Sequence, residues 1–198
     1  MSGSHEAAGG GRLAPATAAE LAAVPAGYAV REMTQADIEA VHALETVLFP
    51  EDAWPLRMFE DELAHPEWRT YWVVEAGAGA GAGGEGVGGV GRGEIVAYAG
   101  AQYSPRLADV QTIAVVPHHE GRGLGGFLMG LMESRARAWG ATDLLLEVRV
   151  DNERAQRLYR RRGFEALNTR RGYYQDGADA LIMRRAVNGD DNDEGARA

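Results

Sequence analysis

The 198-residue chain contains no cysteine and no lysine. Without cysteine there are no disulfides, no thiolate metal sites and no acyl-cysteine route for group transfer. Without lysine there is no phosphate-loop lysine, no kinase-type lysine and no Schiff base, which closes those phosphoryl-transfer and pyridoxal mechanisms. Long apolar runs are missing too: none approaches the roughly 18 residues of a membrane helix. Residues 1–11 carry neither the basic start nor the apolar stretch of a secretory signal, so a cytoplasmic protein with no membrane partner is expected.

All 20 basic residues are arginine, and 29 acids bring the formal net charge to -9. That balance argues against nucleic acid as a partner. The charge is segregated: residues 31–75 hold 11 acids against 3 Arg, whereas residues 149–185 hold 10 Arg against 5 acids. One half suits a cationic substrate and the other a polyanionic one; the plainer alternative is two solvated faces.

The length suits one domain with tails. Residues 1–27, rich in Ala and Gly, and the acidic residues 188–198 read as disordered tails around a folded unit at 28–187. Within it, residues 77–93 are almost pure Gly and Ala between two strand-like runs, TYWVVE and EIVAYAGAQY, and read as a flexible hairpin loop. Thr34 with Asp37 resembles a cap ahead of Ile38, Val41, Leu44 and Leu48 at helical spacing, and Pro55 opens a second helical pattern through Leu56, Phe59 and Leu63. A third apolar run, a Gly-rich turn, an amphipathic helix, the strand DLLLEVRV, a short helix stopped by Gly163 and two further strands complete the order β-α-α-β-β-β-α-β-α-β-β.

The chemistry concentrates in TIAVVPHHEGRGLGG, a strand, a turn and a helix start. Glycines let backbone approach a ligand closely, and successive amides at a helix N-terminus attract phosphate oxygens. Gly121, Gly123 and Gly126 also satisfy the dinucleotide pattern GxGxxG. That pattern belongs at the head of a repeated βαβ series, whereas here it follows hairpin-linked strands, and the downstream acid Glu147 lies in mid-strand. His118, His119 and Glu120 invite a metal reading, but adjacent histidines on a turn seldom converge on one ion, and no metal is expected.

TIAVVPHHEGRGLGG, LLLEVR, Asn152 and RLYRRRGF together resemble the GNAT acetyltransferases, and with FPEDAWP and RRGYY they are similar to the RimI-type members, which acetylate the N-terminal alanine of a small-subunit ribosomal protein. The resemblance spans residues 28–187 and implies an α/β (α+β) fold: a mixed, mostly antiparallel seven-stranded sheet flanked by four helices and splayed near the third apolar run. It implies acetyl-CoA as cosubstrate, bound by Ile113, Ala114 and Val115, by the turn residues Gly121, Arg122, Gly123, Leu124, Gly125 and Gly126, and by Asn152. Glu147 matches the family's general base and Tyr159 its general acid. Glu51, Asp52, Trp54, Tyr173 and Tyr174 are expected to line the acceptor side. One departure stands out: Glu120 occupies a turn position that is Gln or Arg in the family, so a carboxylate faces the expected pyrophosphate. Two other functions fit the same sequence: acetylation of a small amine such as an aminoglycoside or polyamine, and a catalytically silent acyl-CoA-binding module that regulates a partner.

Overall fold

A computed structural model describes residues 16–77 and 93–188. Its elements, in chain order, are α1 (Ala18–Ala22), β1 (Tyr28–Glu32), α2 (Ile38–Leu48), α3 (Leu56–Leu63), β2 (Arg69–Ala76), β3 (Glu94–Ser104), β4 (Leu107–Val115), α4 (Leu124–Ala138), β5 (Asp143–Arg149), α5 (Glu153–Arg161), β6 (Glu165–Arg170) and β7 (Ala180–Ala186). The strands form one sheet in the order β1-β2-β3-β4-β5-β7-β6. Every neighbouring pair is antiparallel except β4 and β5. Helices cover both faces, and strand alternation supplies each core. Trp72 and Val74 join Leu128, Met129 and Met132 of α4, while Tyr71 and Val73 join Val41 of α2 and Phe59 of α3.

The expected element order and seven-stranded sheet are present, with α2 to α5 as the four expected helices. The tail expected over residues 1–27 is corrected in part. Thr17 and Glu20 close a capping box on α1, the Glu20 carboxylate accepting the Thr17 N–H at 2.6 Å, and Leu21 and Val24 pack on the core. The pattern Thr-x-x-Glu was a signal for this helix, hidden by its Ala-rich setting and short length. Residues 1–15, most of the Gly/Ala loop (78–92) and residues 189–198 lie outside the described residues.

The start of α2 shows how the first helices are fixed to the sheet. Buried Asp37 accepts the Thr34 N–H at 2.8 Å and takes two guanidinium nitrogens of Arg31, at 2.7 and 2.8 Å. The Arg31 hydrogen bonds hold its carboxyl well below the usual carboxylate range. A depressed carboxylate contributes stability that is present above its unfolded value and disappears as pH falls through the folded one, so this contribution persists until strongly acid solution. Asp37→Ala should therefore lower unfolding free energy by about 1–2 kcal/mol at neutral pH, since it removes the Thr34 cap and one of the two carboxylates on Arg31, which keeps Glu75 at 2.5 Å; denaturant titration would measure this, and a change within error would discount the pair.

Two irregularities open the sheet. Between β3 and β4 the register moves from Gly100↔Thr112 to Ala101↔Val110, leaving Gln111 as a bulge. A bulge bends its strand and increases its twist. The parallel pairing of β4 with β5 covers only Leu107↔Asp143, Ala108↔Leu144 and Asp109↔Leu145. Beyond Asp109 the strands part, and among the described residues the backbone of Val110–Val115 has no strand partner on the β5 side.

Candidate active site

One wall of the cleft is the unpartnered half of β4, which carries Ile113, Ala114 and Val115 and leads into the Gly-rich turn. Gly121 and Gly123 have φ of 72° and 89°, a left-handed conformation that favours glycine. Gly123 is the N-cap of α4 and no side chain caps that end. The N–H groups of the first helical turn, including Leu124, Gly125 and Gly126, therefore have no intrahelical acceptor and present partial positive charge. A Cβ on Gly121 would meet no atom within 4 Å, so the space over the turn is open, while one on Gly125 would lie 3.5 Å from Leu158, which reflects how closely α4 and α5 pack. This is a fit for a phosphorylated ligand lying on the turn, with Arg122 beside it.

Glu120 does not act against that ligand alone. It forms an ion pair with Arg154 of α5, a half-exposed pair at the mouth of the cleft. The sequence placed a carboxylate next to the expected pyrophosphate without showing what offsets it. The fold brings an arginine from 34 residues away. Arg154→Ala should raise the KM for acetyl-CoA several-fold with little change in kcat, because it removes a cation and exposes the Glu120 charge; an unchanged KM would show that the turn tolerates the bare carboxylate.

The other wall is β5 and α5. Leu144, Leu146 and Val148 are buried towards α4, so Leu145, Glu147 and Arg149 face the opposite side. Glu147 is partly exposed; Arg170 of β6 donates to it at 2.7 Å and the Tyr173 hydroxyl hydrogen-bonds it. Asn152 caps α5, its side-chain oxygen accepting the Ala155 N–H at 3.0 Å.

The run RLYRRRGF has a local physical explanation. Gly163, at φ 82°, ends α5 with a double closure in which the Gly163 N–H donates to the Arg160 carbonyl and the Phe164 N–H to that of Tyr159, both at 3.0 Å. This is the Schellman arrangement. Its apolar contact is Tyr159 against Phe164, ring centroids 6.0 Å apart. The Tyr159 ring is thereby fixed in the core, yet no described group hydrogen-bonds its hydroxyl. Burial, with a smaller contribution from Tyr174, pushes its phenol up to about 12. The neighbouring arginines differ: Arg162 grips buried Glu133 at 2.8 and 3.0 Å, whereas Arg160 bonds Gln156.

On the acceptor side the expected residues divide. Asp52 and Tyr174 converge around Arg149, which contacts Asp52 and Asp151 at 3.1 Å and Asp176 at 2.5 Å and lies 4.9 Å from the Tyr174 ring centroid, while the Tyr173 ring lies 4.4 Å from the Arg170 guanidinium. Tyr173 and Tyr174 meet edge to face at 5.1 Å. Glu51 is exposed, and Trp54 is half-buried, packing against Phe59 at the edge of the core formed with α2 and α3. Arg149, Arg170 and Arg154 were missed by residue-type reasoning, because an arginine in an arginine-rich half gives no sign of its partner. His119 is buried with its Nδ1 2.9 Å from the Tyr28 hydroxyl, and no metal-binding group of His, Asp and Glu occurs among the described residues.

A cleft with an uncapped helix end at its mouth and a free strand edge along its length suits an extended ligand with a phosphorylated tail. The class follows from comparison: residues 38–164 match the family model described as Acetyltransferase (GNAT) family, and the chain belongs to that family and is an acetyltransferase. Within the family it is similar to N-alpha-acetyltransferase RimI of Mycobacterium tuberculosis, 37% identical over 77% of this chain and 89% of that protein. It is 32% identical to the putative [ribosomal protein bS18]-alanine N-acetyltransferase of Bacillus subtilis, over 81% of this chain and 96% of that one. The crystal structure of the ribosomal-protein-S18-alanine N-acetyltransferase from Escherichia coli shares the fold, with a TM-score of 0.63 at 24% identity, covering 83% of this chain and 97% of that chain.

Proposed function

We propose that this acetyltransferase transfers the acetyl group of acetyl-CoA directly to the α-amine of a protein N-terminus, that the acceptor is the N-terminal alanine of a small-subunit ribosomal protein, and that it acts in the cytoplasm. The observation that carries this reading is the similarity to the RimI enzymes along nearly their whole length. The acceptor side is consistent with it. Asp52, Asp151 and Asp176 are all engaged by Arg149, and Glu147 by Arg170. Such a rim offers a polyamine or aminoglycoside few free carboxylates, whereas Tyr173 and Tyr174 beside Glu147 form an aromatic wall suited to a peptide end.

Acetyl-CoA supplies a thioester, an activated acyl group with a thiolate leaving group. The amides of Gly121–Gly126 with Arg122 would hold its pyrophosphate, the free edge at Ile113–Val115 its extended arm, and Asn152 would lie alongside. An α-amine with a reference pKa near 8 is largely protonated at neutral pH and must lose a proton to attack. Glu147 takes a proton from the attacking nitrogen, and Tyr159 gives one to the departing sulfur. With no cysteine in the chain, direct transfer is the natural route.

Thiol release from acetyl-CoA with short peptides differing only in residue one, with mass spectrometry locating the acetyl group, tests the reading. Acetylation at the α-amine of an Ala-first peptide is expected. Turnover on small amines alone, or cofactor binding with no product from any amine, would replace it.

A further inference from the structure

Residues 17–28 are remote in sequence from the Gly-rich turn, yet they meet its surroundings at three places. α1 lies on α4: the Ser134 hydroxyl donates to the Glu20 carboxylate, and Leu21 and Val24 pack on the core that α4 shares with the sheet. Pro25 comes next and sits beside Gly123, the N-cap of α4, where an added Cβ would lie 3.7 Å from the proline Cγ. The chain then turns at Gly27, φ 87°, with the Tyr28 N–H donating to the Pro25 carbonyl at 3.2 Å and the Gly27 carbonyl accepting the Gly77 N–H at 2.9 Å. This turn fixes Tyr28 at the start of β1. Its hydroxyl lies 2.9 Å from His119 Nδ1, and the two rings meet edge to face at 5.7 Å.

The positions of these contacts matter. His119 is buried and closes the short turn Pro117–His119, directly ahead of Glu120. The Tyr28–His119 pair therefore stands at the entry of the Gly-rich turn, Pro25 stands at its exit, and α1 anchors the helix that follows. A segment with glycine at 121, 123, 125 and 126 has much backbone freedom to lose. Its amides bind phosphate oxygens well only when they converge. A turn already held in that shape binds more tightly than one that must be ordered by its ligand. The glycines cannot supply that rigidity, so it has to come from what packs against them.

We infer that residues 17–28 form a brace that sets the shape of the phosphate-binding turn, with Tyr28 and His119 as positioning residues for the pyrophosphate of acetyl-CoA. They act through the turn's backbone and not on the acyl group. Loosening the brace weakens the hold on the cofactor and leaves the chemistry as it was.

This inference rests on the reading of the turn as the pyrophosphate site, and the test separates the two. CoA is titrated calorimetrically into wild type and three variants, and the same proteins are assayed with acetyl-CoA and an Ala-first peptide. Tyr28→Phe keeps the ring against His119 and removes only the hydroxyl. It should weaken CoA binding about fivefold, the scale of one neutral hydrogen bond. The KM for acetyl-CoA should rise in parallel, while kcat and the KM for the peptide stay within about twofold, the pattern of lost ground-state binding. His119→Leu should show the same loss. His119→Asn, whose side-chain amide reaches the place of Nδ1, should return CoA affinity close to that of wild type. Unchanged CoA affinity in Tyr28→Phe overturns the inference. So does a set in which kcat and the peptide KM worsen along with CoA binding, or in which His119→Asn is as impaired as His119→Leu, since either describes a general loosening of the fold. If wild type itself binds no CoA, the pyrophosphate reading fails and takes the brace with it; wild-type binding with unaffected variants sinks the brace alone.

Discussion

Glu147→Gln should reduce kcat on an Ala-first peptide by about 10²-fold or more, in keeping with removal of a general base. Glutamine keeps the size of the side chain and still accepts hydrogen bonds from Arg170 and Tyr173, but it cannot take a proton. The ion pair it removes is partly exposed, and such pairs contribute no more than about 1 kcal/mol, so folding should be nearly unaffected. Raising the pH should not rescue this variant. A neutral amine still has to lose a proton as the C–N bond forms, which distinguishes Glu147 from a residue that deprotonates the ammonium. Rapid-quench measurement of acetyl-peptide would read the chemical step directly, and turnover at the wild-type rate would remove Glu147 from the mechanism.

Tyr159→Phe is expected to produce a comparable loss, about 10²-fold in kcat, for a different reason. Phenylalanine preserves the packing on Phe164 and the helix termination at Gly163, and the lost hydroxyl had no described partner, so the melting temperature should hold. What disappears is the proton delivered to the departing sulfur. With its phenol raised to about 12, Tyr159 retains that proton through neutral and moderately alkaline solution. The wild-type rate should accordingly show no alkaline decline from this group until the pH nears that value. An unaltered kcat in the phenylalanine variant would mean that solvent protonates the thiolate.

The local geometry of the candidate site was legible where it is built from contiguous residues. The strand, turn and helix start around residues 113–126 form one continuous path, and their glycines adopt the left-handed backbone that such a turn demands. The tyrosine four residues before Gly163 is likewise held by a local helix termination. On the acceptor side, residue type was a weaker guide. Trp54, expected in the substrate wall, is half-buried and leans on Phe59 at the edge of the α2–α3 core, a placement that its residue type alone does not reveal.

By itself the sequence determined the order of helices and seven strands along the chain, the absence of thiol and lysine chemistry, and the position of a Gly-rich turn at a helix start, because strand periodicity, residue inventory and backbone conformation are local properties. Only the tertiary structure decided which arginines pair with the carboxylates of the candidate site. Arg170 reaches Glu147 across 23 residues, Arg154 reaches Glu120 across 34, and Arg149 reaches Asp52 across 97. The separation of β4 from β5 just past Asp109 is likewise a matter of register, set by a bulge against a neighbouring strand. Charge pairing and strand divergence depend on which distant backbones lie side by side, and that is fixed by packing of the whole sheet, not by any one segment of it.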